Sequence, residues 1–221
     1  MKKIVAVNAS PRAEWNTGTL IREAARGAES EGAQVKIYDL YEMDKFTGCV
    51  SCFECKLGDN KGKCANQDGL APVLEEIRSA DGLIIGTPNY LGDVSAGFRA
   101  LYERLIFQHI TFKKELGSYV ERKIPVFFIM TSHAAEENYT PGGYGRIVSD
   151  CQTSLGLFIG PTMTMICGDT LHVDDYGKYE WTMFDPEAKK TRRETVFPTE
   201  KQKAFDYGAA MVASPWADSN S

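Results

Sequence analysis

Short apolar runs of strand length alternate with helical patterns from the start of the chain to residue 167. Residues 82–86 and 125–131 are almost continuously apolar, which is typical of parallel strands buried on both faces. Because helical patterns separate these runs, each strand is expected to return to one sheet through a helix. The pattern predicts a doubly wound α/β fold with five parallel strands. The strands are expected at residues 3–8, 34–38, 82–86, 125–131 and 161–167, and the helices at 19–28, 70–80, 94–107 and 146–158.

Two segments depart from this alternation. With 221 residues, 43% of them apolar, the chain is long enough for one domain with a sizeable core. Residues 39–69 form a long connection that holds four of the six cysteines. The end of the chain is polar and aromatic, with one closing helix at 199–213 capped by Thr199 and a frayed end at 214–221. We therefore predict a single domain, 1–221, with a cysteine-rich insertion at 39–69 and an irregular C-terminal extension at 168–221.

The charge of the chain argues against two classes of partner. It carries 30 acidic and 25 basic side chains, a formal net charge of -5, and no run of Lys or Arg. Since phosphate backbones and anionic lipids attract basic surfaces, neither nucleic acid nor a membrane is an expected partner. No apolar stretch approaches the roughly 20 residues of a spanning helix, and the first residues pass directly into a strand pattern. A cytoplasmic protein is expected.

The loop after the first strand has the composition of a phosphate site. Ligands of open α/β sheets bind outside the carboxyl ends of the strands, and a helix start adds free N–H groups and a favourable dipole for an anion. The Gly-x-x-x-x-Gly-Lys and Gly-x-Gly-x-x-Gly patterns are absent, so a monophosphate fits best. Simple helix capping by the same residue types is the alternative. The candidate phosphate residues are Ser10, Arg12, Asn16, Thr17 and Thr19.

The loop after the third strand suits a flat ring. Its backbone amides can face the polar edge of a heterocycle while Tyr90 and Leu91 cover the face of the ring. An ordinary strand-to-helix turn is the alternative. The candidate ring residues are Pro88, Asn89, Tyr90, Leu91 and Gly92. His133, after the fourth strand, has no carboxylate or cysteine partner near it in the sequence, and we expect a solvated loop histidine rather than a proton donor.

Four cysteines crowd into the insertion. Cys49, Cys52 and Cys55 form a Cys-x2-Cys-x2-Cys pattern, and Cys64 follows after a gap of eight residues. Three thiolates at this spacing can hold one corner of an iron–sulfur cube that a fourth completes. Zinc also accepts four cysteines, although structural zinc sites usually pair two knuckles across a longer gap. Free thiols or an oxidisable pair are the remaining alternative.

The segments Ser10-Pro11-Arg12, Asn16-Thr17, Thr87-Pro88-Asn89-Tyr90-Leu91-Gly92 and Val94-Ser95-Ala96 together carry a family resemblance. They resemble the NADPH-dependent FMN reductase group of flavodoxin-like proteins, in particular its iron–sulfur flavoprotein branch. The resemblance implies a flavodoxin-like sheet with strand order 2-1-3-4-5 and FMN as the cofactor. It assigns the FMN phosphate to Ser10, Arg12, Asn16 and Thr17, and the flavin ring to Pro88 through Gly92 with a third contact from Thr131 and Ser132. The same branch binds a [4Fe-4S] cluster through a compact cysteine motif whose last gap is typically shorter than the one here.

These expectations define an oxidoreductase in which FMN carries the chemistry. Electrons are expected to come from NAD(P)H or a reduced carrier and to reach a quinone, a nitroaromatic, a flavin or an electron-transfer protein, through the cluster where one is bound. A non-enzymatic electron carrier or redox sensor is the alternative, while a hydrolase or transferase lacks a nucleophile with a base. The resemblance implies a homodimer or homotetramer. The extension also carries aromatic residues, which would wall the site, contact another subunit or pack within their own domain. They are Tyr176, Tyr179, Trp181 and Phe184.

Overall fold

The computed structural model describes residues 1–213, which contain six strands and six α-helices. The strands are β1 (Lys3–Asn8), β2 (Gln34–Asp39), β3 (Gly82–Tyr90), β4 (Asp93–Val94), β5 (Val126–Thr131) and β6 (Thr162–Cys167). The helices are α1 (Asn16–Ser30), α2 (Ala71–Ser79), α3 (Ala96–His109), α4 (Tyr144–Phe158), α5 (Pro186–Thr195) and α6 (Phe197–Ala213). The predicted frayed end, residues 214–221, lies outside the described residues.

Five strands form one parallel sheet in the order β2-β1-β3-β5-β6. The remaining strand, β4, has two residues and pairs antiparallel with the end of β3. With β4 set aside, the order is the predicted 2-1-3-4-5, and the doubly wound parallel sheet is confirmed. The strand order reverses between β1 and β3, so a crevice opens at the carboxyl ends of these two strands.

Alternate residues of the central strands face opposite layers, as the period of a β-strand requires. Val5 and Val7 of β1 belong to a core made with α2, α3 and α4. Ile4 and Ala6 belong to a second core made with α1 and α6. Both faces of β3 and β5 are therefore covered, which explains their continuous apolar sequences. Among the helices within residues 1–213, none is both long and apolar enough to cross a bilayer.

Helices α1 and α6 pack with their backbones in direct contact. A Cβ atom at Gly27 would lie 1.9 Å from the carbonyl oxygen of Phe205, and one at Gly208 would lie 1.9 Å from that of Ala24. Only glycine leaves room for such an approach. The two glycines therefore set the position of α6 against α1, whose N-terminus carries the first candidate loop.

Two elements at the candidate site are longer than the sequence predicts. Helix α1 begins at Asn16, whereas the sequence predicts a start at Thr19. The first turn is missed because it is polar and carries no apolar periodicity. Strand β3 continues to Tyr90 instead of ending at residue 86. Thr87 and Pro88 pair with β5, and Asn89 and Tyr90 pair with β4, so the segment predicted as a loop is the arm of a hairpin.

The C-terminal extension is more regular than expected. Helix α5 lies inside the stretch predicted to be irregular, and its N-cap Asp185 accepts hydrogen bonds from the N–H groups of Glu187 and Ala188. Asp at the cap followed by Pro186 is a recognised start signal that apolar periodicity alone does not reveal. The closing helix α6 begins at Phe197. Thr199 is therefore not its N-cap, and its hydroxyl donates to the carbonyl of Val196.

Candidate functional site

One pocket lies at the carboxyl ends of β1, β3 and β5, beside the point where the strand order reverses. Nine of the predicted cofactor residues line it: Ser10, Arg12, Asn16, Thr17, Pro88, Asn89, Tyr90, Thr131 and Ser132. Four residues that the sequence did not single out as cofactor ligands complete the wall: Trp15, His133, Thr170 and His172. Three separate loops and the C-terminal extension therefore meet at one place.

Three predicted residues lie outside the pocket. Thr19 donates its hydroxyl to the carbonyl of Glu14, 3.4 Å away, and does not reach the cavity. Leu91 and Gly92 form the tight turn between β3 and β4, with φ angles of 56° and 81°. Two positive φ angles are typical of a type I′ hairpin turn. The N–H of Gly92 donates to the side-chain oxygen of Asn89 at 2.9 Å, so the turn orients a residue that does line the pocket.

The first loop is folded around its own polar side chains. The N–H of Ser10 donates to the side-chain oxygen of Asn8 at 3.1 Å, and the Ser10 hydroxyl oxygen accepts from the N–H of Arg12 at 3.2 Å. Trp15 occupies the N-cap of α1, and no side chain caps this helix. The N-terminus of α1 therefore presents the positive end of its dipole without a protein partner, which favours an anion.

Arg12 supplies the cation of this wall. Its guanidinium donates to the carbonyl of His172 at 2.6 Å and lies 4.9 Å from the ring centroid of Trp15. These contacts hold the side chain in one orientation, because an arginine stacks on an aromatic face while its fork donates sideways. A guanidinium fixed beside an uncapped helix start suits an anionic group such as a phosphate.

Asn16 is engaged by the C-terminal extension. Its amide donates to the carbonyl of Leu171 at 2.9 Å, and its side-chain oxygen accepts from Arg193 of α5 at 2.7 Å. The indole of Trp15 also donates to Leu171, at 3.2 Å. Asn16 therefore fastens the extension to the first loop, a role that nothing in the local sequence indicates.

A hydrogen bond joins the first loop to the end of β5. The hydroxyls of Thr17 and Thr131 are 2.8 Å apart, and both side chains are buried. The Ser132 hydroxyl donates to the carbonyl of Ala134 at 2.6 Å and shapes the next turn. Residues 114 positions apart in the chain thus form one polar floor beneath the pocket.

His133 does not have the solvated environment that we expected. Its Nδ1 lies 3.1 Å from the carbonyl of Thr170, and the ring of Phe184 meets it edge-on at 4.0 Å. Burial, together with the neighbouring Lys189, lowers the pKa of His133 to about 4. A carbonyl only accepts, so Nδ1 carries the proton in the neutral ring and Nε2 is left as a hydrogen-bond acceptor.

Three polar atoms of the pocket residues are shielded from solvent and have no partner within residues 1–213: Asn89 Nδ2, His133 Nε2 and His172 Nδ1. Buried polar groups are usually paired, so such a group at a cavity wall is typical of a ligand contact. The amide of Asn89 is a donor, and Nε2 of neutral His133 is an acceptor. The wall therefore suits a ligand that offers both acceptors and donors along one polar edge.

Aromatic side chains of the extension stand beside the pocket. Trp181 lies 5.3 Å from the ring of His172 and stacks on Tyr179 at 4.2 Å between centroids. The hydroxyl of Tyr176 accepts from the N–H of His172 at 3.0 Å. Phe184 packs on His133, as described above. The four predicted aromatic residues thus pack on one another and on the two histidines that wall the pocket.

The four cysteines of the insertion line a second cavity, together with residues of α3. All are free thiols, and Cys55 is the most buried of them. Two backbone groups are anchored to α3: the N–H of Cys49 donates to Glu103 at 3.2 Å, and that of Cys64 donates to Gln108 at 2.9 Å. Within the described chain, no three Cys, His, Asp or Glu side chains form a group spaced to hold a single metal ion.

Cations and aromatic rings surround this cavity. Burial raises the pKa of Cys55, opposed by the charge of Lys56. The ammonium of Lys56 donates to the carbonyl of Ile110 at 2.8 Å and lies 4.4 Å from the ring centroid of Phe107. Arg104 of α3 donates to the sulfur of Cys64 at 3.3 Å. Two positive charges therefore stand beside this group of thiols, Lys56 next to Cys55 and Arg104 next to Cys64.

A doubly wound sheet of this order, with a polar and aromatic pocket at its switch point, defines a flavodoxin-like α/β protein. The match of residues 2–135 identifies the group: the chain belongs to the NADPH-dependent FMN reductase family, a family of flavoprotein oxidoreductases. The expected resemblance is confirmed. The family match ends at residue 135, so the aromatic extension and α5 lie beyond it.

Curated relatives are iron–sulfur flavoproteins. One from Methanocaldococcus jannaschii is 35% identical over 102 residues, which are 46% of this chain and 51% of that protein. Another, from Archaeoglobus fulgidus, is 34% identical over 104 residues, 46% of this chain and 48% of that protein. The chain thus spans about half the length of the curated relatives that it matches.

Solved structures share the fold over nearly the whole chain. An NAD(P)H:quinone oxidoreductase from Methanothermobacter marburgensis superposes with a TM-score of 0.70 at 16% identity, covering 94% of this chain and 98% of that one. An FMN-dependent NADH-azoreductase from Bacillus anthracis, in complex with FMN, has a TM-score of 0.64 at 9% identity, covering 95% and 99%. At these identities the likeness concerns the fold.

Proposed function

We propose that this chain is an FMN-dependent oxidoreductase whose flavin occupies the pocket at the ends of β1, β3 and β5. The observation that carries the proposal is the convergence of nine residues, selected from three separate loops, on one cavity. Helix capping and ordinary turn formation explain each loop by itself, but they do not explain why all three meet. A phosphate-bearing planar ligand accounts for the three together.

Each part of the pocket has a role in this proposal. Ser10, Arg12 and Thr17, with the uncapped start of α1, would hold the FMN phosphate. Asn16 lines the same wall, but its amide also fastens the extension. Pro88, Asn89, Tyr90, Thr131 and Ser132 would border the flavin ring.

The residues present fit a flavin. A flavin ring offers carbonyl oxygens and an imide N–H along one edge, and the pocket offers the unpartnered amide donor of Asn89 and the unpartnered acceptor of His133. Once bound, FMN supplies hydride and single-electron chemistry, and the protein's tasks are binding, orientation and exclusion of water. His133 and His172 line the cavity, and Phe184 and Trp181 pack behind them, so these rings would exclude water from the bound flavin.

We propose that the cysteines of the insertion hold a [4Fe-4S] cluster. Four thiols around one cavity, with Lys56 and Arg104 beside them, match the donor set and the charge that such a cluster requires. The names of the curated relatives point the same way. Zinc at the same thiols and a metal-free loop are the competing assignments.

The proposed reaction transfers electrons from NAD(P)H, or from a reduced carrier, to a small acceptor. The fold neighbours include a quinone oxidoreductase and azoreductases, which supports quinones and other small aromatic acceptors as a first substrate class. An electron-transfer protein or free flavin is a further acceptor that the same site admits. A carrier or sensor without turnover is the second candidate, favoured by the surface position of the cysteine loop, where Cys52 is exposed.

We also propose a homodimer or homotetramer. Several large apolar side chains near the two sites are exposed, among them Phe53, Leu91, Phe112 and Met183. Phe53 and Phe112 both pack on Phe107, so they form one exposed aromatic group at the rim of the cysteine cavity. Apolar surface of this kind is typical of contacts between subunits. Sedimentation or light scattering of the purified protein tests this.

An absorption spectrum of the anaerobically reconstituted protein tests both cofactors. Flavin bands with a broad shoulder that bleaches on reduction support FMN with a cluster, and flavin bands alone overturn the cluster. Absence of flavin after incubation with FMN overturns the main proposal.

Turnover separates the two candidate functions. A reductase oxidises NADPH or NADH continuously with a quinone, a nitroaromatic or an azo dye, whereas a carrier or sensor reacts once per bound flavin. A double variant, Asn89→Ala with His133→Ala, tests whether turnover depends on the pocket, because it removes the two unpartnered groups of the wall. A loss of FMN affinity in this variant accompanied by equal loss of turnover ties the activity to the pocket.

A further inference from the structure

Among residues 1–213, Arg104 of helix α3 is the largest side chain that is almost fully buried, with 1% of its surface exposed. A guanidinium is rarely buried without partners, because its charge is costly to remove from water. It lies at the wall of the cysteine cavity, away from the flavin pocket. We propose that Arg104 positions Cys64 as a thiolate ligand and raises the reduction potential of the cluster held there; this inference rests on the proposed cluster.

The contacts of Arg104 show how it is held. Its Nη1 donates to Asp68 Oδ1 at 2.6 Å and to the carbonyl of Thr47 at 3.3 Å, and its Nη2 donates to the carbonyl of Asn66 at 2.7 Å. Thr47 precedes the first cysteine of the group, and Asn66 and Asp68 follow the last one. The guanidinium therefore ties both ends of the cysteine segment to one rigid helix.

The Nε donor of Arg104 faces sulfur. Nε of Arg104 lies 3.3 Å from the Sγ atom of Cys64. A neutral thiol is a weak acceptor, whereas a thiolate accepts a charge-assisted hydrogen bond. Because the other three hydrogen bonds fix the plane of the fork, the Nε–H group stays aimed at one sulfur. The geometry thus selects Cys64, the cysteine separated from the other three by the longest gap.

The effect on the cluster follows from charge. Reduction adds one electron and hence one negative charge, and an N–H group bonded to a ligand sulfur stabilises that added charge. The hydrogen bond stabilises the reduced cluster more than the oxidised cluster, so the reduction potential rises. Asp68 acts in the opposite direction, since its carboxylate pairs with Arg104 and offsets part of the positive charge.

A merely structural Arg104 makes a different prediction. If the residue only ties the two ends of the segment, its replacement lowers the stability of the fold and the iron content but leaves the potential of any cluster that still assembles. If it also acts on the cluster, removal of Arg104 and removal of the Asp68 charge shift the potential in opposite directions. The pair of variants separates the two roles.

The test uses the full chain, reconstituted anaerobically with iron and sulfide. Iron and acid-labile sulfide per chain are measured first, and the cluster is then titrated with dithionite, which supplies one electron per cluster, while EPR follows the reduced form. Arg104→Gln is expected to lower the potential, Arg104→Lys to lower it less, and Asp68→Asn to raise it. Arg99→Gln on the same helix, whose partner is Asp93 at the surface, is the matched control and should leave the potential unchanged.

Each outcome has a definite meaning. Opposite shifts for Arg104→Gln and Asp68→Asn support the inference. A cluster with full iron content and unshifted potential in Arg104→Gln overturns it and leaves the proposed cluster intact. If Arg104→Gln does not fold, the potentials of Arg104→Lys and Asp68→Asn are compared instead. Shifts of the potential in the same direction in both variants overturn the inference. Failure of the wild-type chain to bind iron overturns the cluster proposal and, with it, this inference.

Discussion

Replacing Arg12 by methionine tests the proposed orientation of the flavin. Methionine keeps a long apolar stem against Trp15 and removes the charge, so the change isolates the guanidinium. Hydrogen bonds to charged groups contribute roughly 1.5–3 kcal/mol. Because Arg12 lies at the exposed rim, solvent screens the interaction and the lower end of this range applies. About 1.5 kcal/mol corresponds to a roughly tenfold increase in the Kd for FMN.

The decisive comparison uses riboflavin, which is FMN without the phosphate. If Arg12 contacts the phosphate, Arg12→Met weakens FMN and leaves the Kd of riboflavin unchanged. Quenching of flavin fluorescence measures both affinities in one format. Arg12→Lys is expected to recover part of the loss, because lysine restores the charge without the fork. Higher salt should narrow the difference between wild type and Arg12→Met.

Arg26 provides the control, because it lies on helix α1, whose N-terminus borders the pocket. Its side chain is solvent-exposed and pairs with Glu23 one turn away, so Arg26→Met should leave both affinities unchanged. Equal weakening of FMN and riboflavin by Arg12→Met would refute the phosphate assignment. Arg12 would then act through its bond to the carbonyl of His172, by holding the extension against the first loop.

Three further predictions concern the supporting structure. Thr17→Val and Thr131→Val should each lower the free energy of unfolding by about 1–3 kcal/mol in urea titrations, and the double variant should lose less than the sum, because each single change orphans a buried hydroxyl. Gly27→Ala should destabilise the fold by backbone overlap, whereas Gly156→Ala, in open space on α4, should stabilise it by about 0.5–1 kcal/mol. The pKa of His133 is lowered to about 4, so its contribution to stability is complete above its ordinary pKa and is lost as the pH falls towards 4; His133→Gln should flatten this part of the pH–stability curve.

The positions of most candidate residues were predictable from strand order. Parallel strands place their carboxyl ends on one edge of the sheet, so Ser10, Asn89 and Thr131 were expected to converge once five strands were recognised. Thr19 lies outside the pocket for a reason of helical phase. Since α1 begins at Asn16, Thr17 and Thr19 both lie on the helix, and residues two apart do not share a face.

The contribution of the extension could not be predicted in the same way. Thr170 and His172 reach the pocket because Leu171 and Arg193 bond to the first loop more than 150 residues away in the chain. Such tertiary contacts leave no periodicity or motif. Some of the order was nevertheless encoded locally: the sequence Asp185-Pro186-Glu187 is a helix start, and apolar spacing alone overlooked it.

Helix α3 connects the two proposed sites. At its start, the hydroxyl of Ser95 accepts from the N–H of Phe98 and donates to the carbonyl of Ala9, which ties the helix to the first loop. Further along the same helix, Arg104 and Gln108 wall the cysteine cavity. At a rise of about 1.5 Å per residue, Ser95 and Arg104 are separated by roughly 14 Å along the axis. The cysteine insertion is thus attached to the far part of a rigid element that the flavin pocket also uses. Neither cavity contributes a wall to the other, and the helix sets the separation between them.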